Sequence, residues 1–166
     1  MSQILYASFA SNMLKERFMV YIKGGVYNGK TYTGCRDKTE PAAYGYTYVP
    51  FRLYFANESP KWDNKGVAFL ETNNEPDPFY FALVRLWKVT EQQFEDIYEQ
   101  ETKSWYDKII TLGSKENMPI KSFTSSKVFA PNKPSDKYIK VILSGLMETT
   151  GWNYDKCLDY LTKFIE

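Results

Sequence analysis

Glu101 lies in the segment VTEQQFEDIYEQETKSWY, residues 89–106. Thr90 and Gln93 have the spacing of a capping box, and Val89 and Phe94 fit the hydrophobic staple that accompanies one, so the start of a helix is specified. From that start the apolar stripe runs through Phe94, Ile97 and Tyr98, and its next position is Glu101. Glu95, Asp96 and Glu99 fall on other faces, where water solvates them. Glu101 is therefore the acid expected to point where the apolar side chains point. A carboxyl among apolar groups loses hydration of its charged form and holds its proton more tightly. Such a group can take up and return a proton at neutral pH, which is the requirement for general acid–base catalysis. Two blander readings compete with this one. The helix ends by residue 100 and leaves Glu101 on an exposed turn, or Glu101 pairs with a Lys or Arg.

The chain has 166 residues and no histidine. That excludes Ser–His and Cys–His nucleophiles and any His-ligated metal site. The two cysteines, Cys35 and Cys157, form no metal-binding spacing and read as buried or spare thiols rather than a disulfide. Cys35 has no histidine to activate it. Any chemistry therefore falls to carboxylates, tyrosines, lysines, cysteines, hydroxyls or backbone groups, and neither metal nor cofactor is expected. A net charge of +1 without a basic block argues against a nucleic-acid partner. No signal-like N-terminus and no run of about 18 apolar residues is present, so a soluble cytoplasmic protein without a membrane partner is expected. The aromatic content of 17% is high and suits large flat core contacts or an aromatic-lined cleft.

The elements that must position Glu101 can be read along the chain. Gln3–Phe9 reads as a strand, and Met13–Lys23 as a helix with Leu14, Phe18, Tyr21 and Ile22 on its apolar stripe and Gly24-Gly25 at its end. Asn12 fits the N-cap of that helix. Residues 27–45, YNGKTYTGCRDKTEPAAYG, read as a long loop, with GCRDKTEP either a lid or a solvated stretch. Strand-like segments follow: YTYVPFRLYFA, GVAFLET, FYFALVRLWKV, WYDKIITLG and IKSFTSSKVFA. Two amphipathic helices close the chain, one with Tyr138, Ile139, Ile142, Leu143 and Leu146, the other with Tyr154, Cys157, Leu158, Leu161 and Ile165, separated by Gly151. This order implies one α+β domain over residues 1–166, with a strongly curved or partly closed, barrel-like sheet and flanking helices.

Two of these segments together resemble the gamma-glutamylcyclotransferase-like superfamily. FASNM, Phe9–Met13, stands where members carry a YGSN loop between the first strand and a helix. FEDIYEQET matches the family pattern L-x-x-L-D-x-x-E-G in its apolar frame, at Phe94 and Ile97, and in its glutamate, at Glu101. WYDKIITLG looks like the strand that leaves the site, and PSDKYIKVILSGLMETTGW like the C-terminal helix of bacterial relatives. Phe9 replaces the usual tyrosine, Ala10 the glycine, Tyr98 the aspartate and Thr102 the glycine after the glutamate. Ala10 matters most, because glycine there lets the backbone turn tightly beside a ligand.

The resemblance implies that the α-amine of a small γ-glutamyl amine or γ-glutamyl amino acid attacks its own γ-carbonyl. The products are 5-oxoproline and the freed amine. Glu101 would be the general acid/base, and the turn Phe9, Ala10, Ser11 and Asn12 would bind the substrate, with Ser11-Asn12 capping the helix and lining the site at once. The other readings are a non-catalytic domain that keeps the fold and cavity to bind a small molecule or protein, and a related amide-processing reaction. Tyr106 and the four tryptophans, Trp62, Trp87, Trp105 and Trp152, read as core or rim aromatics with the option of reaching a ligand.

Overall fold

The computed structural model describes residues 2–165. Strands β1 (Gln3–Ser8), β4 (Ala42–Val49), β7 (Ala82–Thr90), β8 (Lys108–Lys115) and β9 (Met118–Thr124) form a five-stranded mixed sheet. Their order across it is β4-β7-β1-β9-β8. β1 lies in the middle, antiparallel to β7 along its whole length and parallel to β9 at Leu5–Ile120 and Tyr6–Lys121. Both faces of β1 and β7 are covered. Leu5, Ala7 and Leu86 join one core cluster, and Ile4, Tyr6, Trp87 and Val89 join another. A strand buried on both faces has no polar face to show, which is why these segments read as nearly continuous apolar runs.

The sheet is open, with β4 and β8 at its edges, and does not close into the expected barrel. Hairpin β5 (Leu53–Ser59) and β6 (Lys65–Leu70) forms a separate two-stranded sheet. No ladder joins it to the five-stranded sheet; backbone bonds to residues 131–133 and side-chain bonds attach it instead. Thr124 Oγ1 accepts from the Leu70 amide at 3.0 Å and donates to its carbonyl at 2.7 Å, and the Tyr138 hydroxyl accepts from the Ala68 amide at 3.1 Å. A second small hairpin, β2 (Gly25–Tyr27) and β3 (Lys30–Tyr32), overlaps the start of the stretch read as a loop. Asn28 and Gly29 between these strands have φ of 54° and 77°, as a two-residue hairpin turn requires. The remaining loop is fastened down rather than poised as a lid. Arg36 pairs with Asp96 at 3.0 Å, and Gln93 Nε2 donates to the Asp37 and Thr39 carbonyls.

Among the described residues four α-helices flank the sheet: α1 (Lys15–Lys23), α2 (Glu91–Glu99), α3 (Asp136–Thr150) and α4 (Tyr154–Thr162). α2 starts with the expected capping box: the Gln93 amide donates to Thr90 Oγ1 at 3.0 Å and the Thr90 amide to Gln93 Oε1 at 3.1 Å. Ser135 and Asn153 cap α3 and α4, and Gly151 at φ 75° ends α3. YTYVPFRLYFA divides into β4 and β5, because Pro50 has no amide to continue a ladder. Strand β9 stops at Thr124, short of the expected Ala130. No helix among the described residues is long and apolar enough to cross a membrane.

Candidate functional site

Beyond Ser8 the chain leaves the centre of the sheet and makes a 3-10 turn, Ser11–Met13, before α1. The Met13 amide donates to the Ala10 carbonyl at 3.1 Å and the Leu14 amide to the Ser11 carbonyl at 3.2 Å. Ala10 has a φ of −144°, so the turn does not need the left-handed backbone that only glycine adopts freely. Asn12 is not the helix cap. Leu14 occupies that position without a side-chain bond, and the 3-10 turn rotates Asn12 inward instead. There its Nδ2 donates to the Tyr6 hydroxyl at 3.1 Å and its carbonyl accepts from Trp87 Nε1 at 3.2 Å.

Helix α2 ends at Glu99, two residues before Glu101. The helical turn is nonetheless continued, because the Glu101 amide donates to the Tyr98 carbonyl at 3.0 Å, and the residue is half-buried. Gln100 pins this end in place: its Oε1 accepts from the Gly34 amide and its Nε2 donates to the Tyr21 carbonyl, both at 2.9 Å. Glu101 and all four residues of the Phe9–Asn12 turn line one cavity of about 600 Å³. Residues from α1, the β2–β3 hairpin, the Ser59–Trp62 stretch and Tyr138 complete its walls.

The surroundings of Glu101 differ from the apolar ones expected. Among the described residues it makes no salt bridge, but it faces hydroxyls and cations. Burial, and then the Glu101 charge, hold the Tyr21 and Tyr6 hydroxyls well above the usual phenol range. Both therefore stay protonated and available as donors. Arg17, fully buried, donates from Nη2 to the Tyr32 hydroxyl at 3.0 Å and to the Tyr21 hydroxyl at 3.4 Å. Its guanidinium lies 4.7 to 5.1 Å from the ring centres of Tyr27, Tyr21 and Tyr32. Lys61 donates to the same Tyr32 hydroxyl at 2.7 Å. Burial, and then the charge of Arg17, push the Lys61 amine down to about 7 against the opposing pull of Glu101.

The arrangement can move protons and bind anions. It offers no thiol nucleophile: Cys35 lies outside the cavity walls, and burial and then the Asp96 charge push its thiol up to about 12. Both cysteines are free and buried. Among the described residues no group of three His, Cys, Asp or Glu is placed to hold a metal ion. Tyr106 lines the cavity but spends its hydroxyl on the Ala68 carbonyl at 2.8 Å and stacks on Phe69. Trp62 and Trp105 line the cavity, whereas Trp87 braces the Asn12 turn from behind and Trp152 packs against Tyr46.

Arg17 and Lys61 were not singled out from the sequence. Arg17 carried a readable signal, since it sits three residues after Leu14 and four before Tyr21, inside the apolar stripe of α1. Lys61 carried none, because its neighbours come from distant segments.

No family model matches the chain. Histone deacetylase 5 of Arabidopsis thaliana is 28% identical over an alignment of 204 positions, which takes in 98% of this chain and 31% of that protein. The chain thus spans about a third of the length of the curated relative it matches. Among solved structures, a gamma-glutamyl cyclotransferase superposes with a TM-score of 0.72 at 22% identity, covering 99% of this chain and 89% of its own. An uncharacterised Homo sapiens protein gives 0.71 at 22% identity, covering 100% and 89%. YkqA of Bacillus subtilis gives 0.64 at 13%, covering 100% of this chain and 56% of its own. The chain has the gamma-glutamyl cyclotransferase fold.

Proposed function

We propose that the protein cyclises a small γ-glutamyl compound to 5-oxoproline and releases the amine, with Glu101 as the general acid/base. The observation that carries this reading is that Glu101 and the Phe9–Asn12 turn, far apart in sequence, line the same cavity. The substrate's α-ammonium gives a proton to the Glu101 carboxylate, and the freed amine attacks the γ-carbonyl carbon. Glu101 returns that proton to the leaving nitrogen as its bond to the carbon breaks, then takes the second proton that the ring nitrogen sheds on becoming an amide and passes it to the released amine, which departs as an ammonium. Because attack is intramolecular, the cavity mainly has to hold the folded conformer. The amides of Ser11 and Asn12 open the 3-10 turn before its first internal bond, so they suit the glutamyl carboxylate. The protonated Tyr21 and Tyr6 hydroxyls suit the charge that develops on the carbonyl oxygen.

The test is 5-oxoproline release from γ-glutamyl amino acids, γ-glutamyl amines and glutathione, with Glu101→Gln in parallel. Product from the native protein and at least a thousandfold less from the variant is expected. Undiminished activity in Glu101→Gln would move the chemistry elsewhere. No product across a panel that a known cyclotransferase turns over would leave a ligand-binding role for the cavity.

A further inference from the structure

Arg85 of β7 stands outside the cavity walls, yet it reaches the back of the turn that lines them. It pairs across the sheet with Ser8, the last residue of β1, so it sits where the chain leaves that strand. Its Nη1 donates to the Met13 carbonyl at 2.7 Å and to Glu148 Oε1 at 2.5 Å, and its guanidinium lies 4.1 Å from the ring centre of Trp87. Trp87, two residues along the same face of β7, donates to the Asn12 carbonyl at 3.2 Å. Glu148 of α3 also accepts from the Lys15 amide at 2.9 Å, and so supplies the cap that Leu14 lacks at the start of α1. Three side chains behind the turn thus hold three backbone groups within residues 12–15.

Two relays of peptide units follow from these bonds. Arg85 holds the Met13 carbonyl, and the same peptide unit donates its Leu14 N–H to the Ser11 carbonyl; the unit carrying that carbonyl ends in the Asn12 amide. Trp87 holds the Asn12 carbonyl, whose unit donates its Met13 N–H to the Ala10 carbonyl, and that unit ends in the Ser11 amide. The Ser11 and Asn12 amides precede the first internal bond of the turn, so each relay ends on a donor left over for a ligand. Hydrogen bonds in such a chain polarise one another in the same sense. The relay that reaches Asn12 starts from a cation whose side chain is only 11% exposed, so water screens its charge weakly. Glu148, bonded to the same nitrogen, offsets part of that charge.

We propose that Arg85 is a positioning residue, which fixes the Phe9–Asn12 turn and carries positive charge through two peptide units to the Asn12 amide. A turn with no cation of its own thereby binds the α-carboxylate of the substrate. The proposal deepens the cyclisation reading and rests on it for the identity of that carboxylate. Glu148 then acts in two opposed ways: its bonds hold the start of α1, and its charge weakens the relay. A purely mechanical brace would loosen when either partner is changed, whereas a charge relay gives the two changes opposite signs.

The experiment compares L-5-oxoproline with 2-pyrrolidinone, the same ring without the carboxylate. Binding is measured by amide NMR titration of the native protein, Arg85→Met, Arg85→Lys and Glu148→Gln, so the readout needs no turnover. The native protein should bind 5-oxoproline at least about 10-fold more tightly than pyrrolidinone, with shifts at the Ser11 and Asn12 amides. Arg85→Met should weaken 5-oxoproline about 10-fold and leave pyrrolidinone within about twofold, and Arg85→Lys should recover most of the loss. Glu148→Gln keeps an acceptor for Arg85 and the Lys15 amide but sheds the charge, so it should tighten 5-oxoproline about two- to fivefold. In turnover of γ-glutamylethylamine, Arg85→Met should raise KM about 10-fold with kcat within about threefold, the pattern of binding lost equally from ground and transition states. Equal weakening of both rings by Arg85→Met would overturn the relay, as would weaker 5-oxoproline binding in Glu148→Gln. A native protein that does not prefer 5-oxoproline would overturn it as well. Turnover with an unchanged KM in Arg85→Met would remove the relay and keep the reaction. Arg85-dependent binding of 5-oxoproline without turnover of any γ-glutamyl compound would do the reverse.

Discussion

Replacing Lys61 by methionine should make the protein more stable at acidic pH, although it removes a hydrogen bond. The Lys61 amine falls from 10.5 to about 7 on folding, with burial as the leading cause. At about 1.4 kcal/mol per pH unit, holding that lysine protonated in the fold costs about 3 to 5 kcal/mol. The sign follows from proton counts. Between pH 7 and 10.5 the unfolded chain binds the proton and the folded one does not, so stability rises with pH across that window. Below about pH 7 both states are protonated and the full cost is present. Methionine keeps most of the volume and removes the charge. It also loses the 2.7 Å bond to the Tyr32 hydroxyl, worth about 1 kcal/mol, although Arg17 still donates to that hydroxyl. The expected net gain is about 2 to 4 kcal/mol at pH 6, shrinking to within about 1 kcal/mol of the native protein at pH 9.5. Urea unfolding followed by tryptophan fluorescence at the two pH values measures this directly. A loss of stability at pH 6, or a gain of the same size at both pH values, would refute the view of Lys61 as a charge that destabilises the fold.

Other substitutions probe the walls of the cavity. A Cβ at Gly145 of α3 would lie 2.8 Å from the Leu14 nitrogen and 2.9 Å from the Met13 Cβ. Gly145→Ala should therefore displace the Ser11–Met13 turn, lower the unfolding midpoint and raise KM, despite alanine's better helix propensity. A more stable variant with native KM would show that the turn can give way. Ala10→Gly should gain no affinity for γ-glutamyl ligands and lose about 0.5 to 1 kcal/mol of stability, because φ at residue 10 is already negative; a clear gain in binding would show that the methyl group obstructs the ligand. Both thiols are buried, and that of Cys35 is pushed up to about 12, so a thiol reagent at pH 8 should label neither cysteine until urea unfolds the chain. Rapid labelling of the folded protein would contradict the packing around them.

Elements with a strong period were legible. The capping box at Thr90 and Gln93 locates the start of α2, and the stripes of α3 and α4 give both helices. Glu101 lines the cavity, because its amide extends the helical turn after α2 has formally ended. The nature of that side was misjudged. Sequence spacing gives direction, but the surroundings depend on which distant residues meet there, and these proved to be tyrosines and cations. The Asn28-Gly29 hairpin is only weakly legible, since its strands are three residues each and carry no alternating pattern long enough to read. Asn12 was misread for a different reason. Asn ahead of an apolar stripe suits a cap, yet the intervening 3-10 turn rotates it onto Tyr6.

The central place of β1 has a consequence for how the molecule acquires its site. This strand pairs with β7, which ends at Thr90, and with β9, which ends at Thr124. The turn that follows β1 is braced by Trp87 and by α3, which begins at Asp136. Closing such distant contacts costs loop entropy before they stabilise anything. During synthesis the Phe9–Asn12 turn must therefore wait until the segments through α3 have left the ribosome, so the strand made first acquires its site only after partners more than a hundred residues later have emerged.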